Sequence, residues 1–223
     1  KAFYSDEQVS HEFQFNYDAG GRSRGVVGLY LFDGEAGGQV LNNFFNVSFG
    51  DTQGTVYTES LSLYADWTFD LTERLALNVG ARYTDEDKRA DVRNIGYTNA
   101  TFTTPSGVVA ADFDKSVNFK NFAPKISIDF QITPDVLLYG LASRGFKSGG
   151  YNIRANMAVP HTLLPFDDEV VDSFEAGIKA GFLDQRMFLN LAAFHNKYQD
   201  IQLSVFTQFT PPGGVPQFLG DFT

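Results

Sequence analysis

Apolar and polar residues alternate along most of this chain, in blocks longer than an ordinary strand. Val9, His11, Phe13, Phe15 and Tyr17 share one parity, and Ser10, Glu12, Gln14, Asn16 and Asp18 the other. An extended backbone sends successive side chains to opposite faces, so such a block has one apolar and one polar face. The pattern returns with Leu61, Leu63, Ala65, Trp67 and Phe69 against Ser60, Ser62, Tyr64, Asp66 and Thr68. After a turn, Leu75, Leu77, Val79, Ala81 and Tyr83 oppose Ala76, Asn78, Gly80, Arg82 and Thr84. Phe122, Pro124, Ile126, Ile128, Phe130 and Ile132 oppose Lys125, Ser127, Asp129 and Gln131, and Leu137, Tyr139 and Leu141 begin the return. Val170, Phe174, Ala176 and Ile178 oppose Ser173, Glu175 and Lys179. Two blocks do not declare a facing. Residues 23–33 are Gly-rich, and in 186–203 Leu189, Leu191 and Ala193 take one parity but Phe188 and Phe194 the other. A bulge would account for that break. Pro124 has no N–H for a ladder and is expected near a strand start or at a bulge.

The connections alternate in length. Short links fall at 19–22, 71–74, 133–135 and 181–185; long ones at 34–54, 86–118 and 147–167, with another opening after Leu203. The blocks between them suit a tilted strand crossing a bilayer, which needs about 9–11 residues, rather than a soluble strand of about 5–6. The expected fold is all-β: about eight antiparallel strands of an up-and-down transmembrane β-barrel, with short periplasmic turns and long extracellular loops. The apolar faces carry no central Lys or Arg, and Tyr17, Tyr57, Trp67, Phe69 and Tyr83 sit where interfacial aromatics belong. A soluble β-sandwich also alternates, so strand length and loop asymmetry carry the distinction.

Composition narrows the functions. The chain has 223 residues, is 43% hydrophobic and contains 17 basic against 27 acidic residues, a net charge of -10. That balance argues against nucleic acid, whose binders present basic surfaces. Cysteine is absent, which removes disulfides, thiolate metal sites and thiol catalysis. No apolar run is long enough for a transmembrane helix. Lys1 is not an initiator Met, and the chain reads as processed or cut.

Several stretches then resemble one family. Residues 63–88 (LYADWTFDLTERLALNVGARYTDEDK), 121–152 (NFAPKISIDFQITPDVLLYGLASRGFKSGGYN) and 169–203, with Glu175, Gly177 and Lys179 in an E-x-G-x-K pattern, resemble barrel hairpins of TonB-dependent outer-membrane receptors. The opening at 10–32 fits as well. The resemblance implies the outer membrane of a Gram-negative bacterium and a larger, 22-stranded barrel. It also implies active uptake of large scarce nutrients, ferric siderophores foremost, with cobalamin, haem and glycans as alternatives. The implied partners are outer-membrane lipid, a plug domain, and the TonB complex, reached through an N-terminal part that this chain does not contain. No cofactor is implied. Residues 1–223 then read as a partial barrel domain, without plug or C-terminal strands. The tail 213–223 does not alternate and resembles no terminal barrel strand.

Other chemistry is thin. The GFKSGG segment at 145–150 lacks the G-K-[ST] ending and a following helix, so a phosphate loop has no mechanism there. Asp85, Glu86, Asp87 and Asp91 lack calcium-loop spacing and read as a solvated loop base, and His11, His161 and His195 lack metal-ligand spacing. No metal site is expected. No hydrolase elbow or zinc-protease motif appears, so no enzyme is expected. On the receptor reading, Phe44, Phe45, Tyr97, Phe102 and Tyr151 are candidates to stack on a ligand and Arg154 to pair with an anionic one. Two rivals stay open: a free-standing eight-stranded barrel acting as adhesin or anchor, and a soluble carbohydrate-binding sandwich.

Overall fold

The computed structural model describes residues 1–184, 186–210 and 217–222. The strands are β1 (Ala2–Asp18), β2 (Ser23–Phe44), β3 (Ser48–Asp70), β4 (Leu75–Tyr97), β5 (Pro105–Thr133), β6 (Val136–Lys147), β7 (Gly150–Tyr151), β8 (Pro165–Phe166), β9 (Glu169–Phe182), β10 (Met187–Gln199), β11 (Ser204–Phe209) and β12 (Gln217–Phe222). Eight of them form one antiparallel sheet in the order β1-β2-β3-β4-β5-β6-β9-β10, while β7–β8 and β11–β12 are separate ribbons. Among the described residues β1 and β10 are the two ends of that sheet, which is not closed. Among the described residues no helix is long and apolar enough to cross a membrane, which says nothing of strands.

The register settles the facing that the sequence left open. Phe13, Leu29, Leu63, Tyr83 and Phe122 stand opposite one another across five strands, as do Phe15, Val27, Ala65, Ala81 and Pro124. Val27, Leu29 and Leu31 of β2 therefore join the apolar face. Met187 to Gln199 pair with β9 without a register shift. The expected bulge in β10 is absent. Leu189, Leu191 and Ala193 lie on the apolar face, and Phe188 and Phe194 lie on the polar one, because a regular strand alternates whatever its residues. Leu137, Tyr139 and Leu141 lie on the polar face too, since Leu138 and Gly140 stand opposite Ile178 and Ala176.

Pro124 sits inside β5, where the ladder to β6 begins at Lys125↔Ser143, one residue on. A residue without an N–H is tolerated there because no β6 partner stands opposite it. The polar face is knitted across strands. The Tyr64 hydroxyl donates to Glu12 and accepts from Gln14, Arg82 donates to Ser62, and Lys125 and Asn78 both donate to Asp66. The apolar face ends at the short-turn side in an aromatic contact, with Tyr17 and Trp67 stacked 5.5 Å apart. Gly25, opposite both, makes room for the indole, which a Cβ would meet at 2.4 Å.

Two of the expected long loops are strand. β2 and β3 stay paired to Phe44↔Ser48, and β4 and β5 to Tyr97↔Pro105. Pairing continues in 34–54 and 86–118 after the alternation stops. Past the apolar band the outer face no longer meets lipid and part of the inner face is covered by loop rather than by a uniform phase, so the backbone keeps its ladder with no apolar parity to reveal it. Tyr57 is thereby placed beyond the apolar band, with the Arg89 guanidinium over its ring at 5.3 Å. The 147–167 link leaves the eight-stranded sheet and carries only the short β7–β8 ribbon and a 3-10 turn at Pro160–Leu163. Of the 181–185 turn, Leu183 and Asp184 have positive φ (54 and 55), and Gln185 lies outside the described residues. Of the tail 213–223, β12 pairs with β11, and 213–216 and Thr223 lie outside the described residues.

Candidate functional site

Residues 148–168 leave β6 and fold over the polar face of the β3–β5 extension. The anchor is a glycine. A Cβ on Gly149 would stand 2.0 Å from the Phe166 carbonyl oxygen, so only glycine permits that approach. The Gly149 carbonyl accepts from Lys88 Nζ at 2.9 Å, and its N–H donates to Asp168 at 2.8 Å. Asp168 also accepts from Asn121 Nδ2 at 2.9 Å. Gln202 Nε2 reaches the carbonyls of Lys147, Ser148 and Asp167. Replacing Asp168 with alanine leaves the Asn121 amide and the Gly149 N–H without their acceptor, at a cost of about 1–3 kcal/mol. Faster proteolysis and hydrogen exchange within 150–164 are expected in that variant; unchanged loop protection would refute the anchor.

Above the anchor the loop packs on a small core of Ala90, Val92, Ala111, Tyr151 and Ala155. Asn94, 5% exposed, donates from one amide to the carbonyls of Ile153 and Ala155, both at 3.0 Å. The Met157 N–H donates to the Ala110 carbonyl at 2.7 Å. The β11–β12 ribbon closes the other side: Asn152 Nδ2 donates to the Gly220 carbonyl at 3.0 Å, and His161 pairs with Asp221.

Between loop, ribbon and the β2–β3 extension lies a cleft of about 830 Å³. Val40, Asn42, Asn94, Ile153, Arg154 and Phe206 are among its lining. Arg154 is the one charged residue among the described residues that line it. Asn152 Oδ1 accepts its backbone N–H at 2.9 Å and so fixes its place. Its guanidinium lies beside Gly220, and no carboxylate of the described residues pairs with it. An unpaired guanidinium among amides and apolar walls suits an anionic ligand with hydrogen-bonding groups.

The six candidate residues fall in three places. Phe44 and Phe45 stand at the β2–β3 tip, edge to face at 4.7 Å. Tyr97 and Phe102 stand at the β4–β5 tip, where Phe102 meets Tyr97 at 5.7 Å and Phe49 at 6.3 Å. Tyr151 is buried against Phe113, its hydroxyl donates to the Ser116 carbonyl at 3.1 Å, and burial pushes its phenol up. Arg154 alone of the six lines the cleft. Asn42, Asn94 and Phe206 escaped the sequence reading because nothing local marks them; the long register and the inward fold bring them together.

The acidic run is strand rather than loop base. Asp85 and Asp87 accept from Asn118, and Glu86 on the opposite face lies 3.2 Å from Lys88. Farther out, the Arg89 guanidinium hydrogen-bonds Asp114 and holds its carboxyl below the usual range. Among the described residues no group of acidic and His side chains could hold a metal ion.

A family model described as TonB dependent receptor-like, beta-barrel, matches residues 2–220. The chain belongs to that family. TonB-dependent receptors are outer-membrane proteins of Gram-negative bacteria, so the apolar face of this receptor sheet meets lipid and the polar face the lumen. The short turns are then periplasmic, and the cleft opens at the extracellular end. Over 181 residues the chain is 26% identical to the pesticin receptor of Yersinia enterocolitica, covering 80% of this chain and 24% of that protein. It is 38% identical over 78 residues to the metal-pseudopaline receptor CntO of Pseudomonas aeruginosa, 35% of this chain and 10% of that one. The fold resembles the ferric yersiniabactin uptake receptor FyuA of Yersinia pestis with a TM-score of 0.71 and 21% identity, over 91% of this chain and 30% of that one. The chain thus spans a quarter or less of these two curated relatives. These relatives are receptors rather than enzymes.

Proposed function

We propose that this chain is part of the barrel wall and extracellular mouth of a receptor that imports an anionic metal chelate, a ferric siderophore foremost. The observation that carries the proposal is Arg154, the one charge among the described residues lining an extracellular cleft of about 830 Å³. The receptors it resembles are named for pesticin, metal-pseudopaline and ferric yersiniabactin, which supports a chelate as cargo. On this reading β1 and β10 each pair with further strands of a larger barrel, which removes two exposed edges. A plug domain fills the lumen against the Glu12–Tyr64–Arg82 wall, and coupling to TonB supplies the energy. The Tyr151 packing and the Asp168 anchor hold the loop that presents Arg154.

The test is uptake of radiolabelled ferric chelates by cells carrying the complete receptor. Accumulation that stops on adding an uncoupler is expected. Binding without energised accumulation would favour an adhesin or anchor.

A further inference from the structure

Residues 203–223 carry a single ionisable side chain, Asp221 of β12, and it is buried, at 2% exposed. A carboxylate taken out of water is costly unless charged or hydrogen-bonding partners meet it. Thr207 of the ribbon donates its hydroxyl to Oδ2 at 3.3 Å, and Asn152 of the loop donates Nδ2 to Oδ1 at 3.4 Å. Both donors are neutral and both contacts are long. The short contact is His161 Nε2, 2.5 Å from Oδ2.

His161 is held in that place by its own turn. It belongs to the 3-10 turn Pro160–Leu163. Its neighbour Thr162, 2% exposed, donates its hydroxyl to the Val159 carbonyl at 2.7 Å and accepts from the Asn156 N–H at 2.9 Å. The turn is thereby fixed to the loop, and the imidazole reaches from it to the ribbon. The ring is still 57% exposed, so a proton can enter or leave without the ribbon moving. The ribbon in turn bounds the cleft: Phe206 of β11 and Gly220 of β12 line it together with Arg154. Asp221 follows Gly220, so its contact sets how closely this wall stands to the loop.

We propose that His161 and Asp221 form a pH-sensitive clasp that holds the β11–β12 ribbon against the loop and closes the cleft in acid. A protonated imidazole meets the buried carboxylate as an ion pair with a charge-assisted hydrogen bond. A neutral imidazole leaves that carboxylate an ordinary donor and no counter-ion from the turn. Closing therefore takes up a proton, so falling pH favours the closed ribbon and rising pH loosens it. Histidine changes charge between about pH 5 and 8, which sets the window. Two further charges lie near: the Arg154 guanidinium beside Gly220, and the Lys115 ammonium at the Leu163 carbonyl. Arginine and lysine side chains keep their charge through that window, so neither reverses the sign. The parts of β2 and β3 that line the cleft add no charge.

The test is the distance between spin labels on Ala158 of the loop and Gln208 of the ribbon, both exposed. It is measured in the complete receptor without ligand, at about pH 5.5 and about pH 8. A short, narrow distance is expected at the lower pH. At the higher pH the ratio of closed to open ribbon should fall about five- to tenfold, the difference between a charge-assisted and a neutral hydrogen bond. His161→Gln, made at an exposed ring, keeps a neutral donor and should show the higher-pH distribution at both values. The same distribution at both pH values in the unaltered receptor, or a pH dependence that survives His161→Gln, would overturn the clasp. No chelate enters this experiment, so the uptake reading stands or falls separately.

Discussion

Replacing Arg154 with glutamine is expected to weaken binding of an anionic chelate about 10- to 150-fold, because a hydrogen bond to a charged group contributes about 1.5–3 kcal/mol. The effect is large because the cleft offers no substitute charge: its other described lining residues are apolar, amide, hydroxyl or glycine. The neighbouring basic residue on the loop's floor, Lys115, already gives its ammonium to the Leu163 carbonyl at 2.9 Å. Arg154→Lys should recover part of the loss, since a point charge keeps the Coulombic attraction but not the planar fork. Arg89→Gln is the control. It removes the same charge from the opposite face of the extension, where Arg89 hydrogen-bonds Asp114 at 2.7 Å. Isothermal titration of the complete receptor reads all three. Equal losses in Arg154→Gln and Arg89→Gln would reduce the site to long-range attraction and remove Arg154 as a ligand contact.

Replacing Ile126 with arginine is expected to destabilise the barrel by about 2–4 kcal/mol, the cost of a cation at the bilayer midplane. Ile126 stands mid-band on β5, between Val79 of β4 and Ala142 of β6, and is 50% exposed on the face that meets lipid. Ser127→Arg, one residue on, points to the lumen and should cost little. Urea-driven unfolding from lipid vesicles, with folded receptor scored by heat-modifiable gel mobility, measures the difference. Equal stability of the two variants would overturn the facing of the sheet, and with it the bilayer as the solvent of this face.

The contrast between those two adjacent positions was legible without a structure. Ile126 and Ser127 differ in parity, and parity is a property of the extended backbone. For the same reason the blocks at 9–17, 61–69, 75–83 and 122–132 declared their facing. Phe188 and Phe194 misled because two aromatics on the polar face of a regular strand mimic a bulge. The hairpins above the bilayer misled in the opposite way. With no lipid on the outer face and a cleft rather than a uniform phase on the inner one, residues 34–54 had no reason to alternate, yet their backbone groups kept their ladder partners.

By itself, then, the sequence determined what one solvent boundary writes into a strand: the apolar and polar parities, the short periplasmic turns and the family resemblance carried by residues 10–32, 63–88, 121–152 and 169–203. Only the tertiary structure decided what is built where that boundary no longer acts. The inward fold of 148–168, the Gly149 approach, the burial of Tyr151 and the meeting of Arg154 with Asn42, Asn94 and Phe206 depend on contacts between residues far apart in the chain. No local periodicity encodes such contacts, because each side chain there is selected by one specific neighbour rather than by a uniform lipid or aqueous phase.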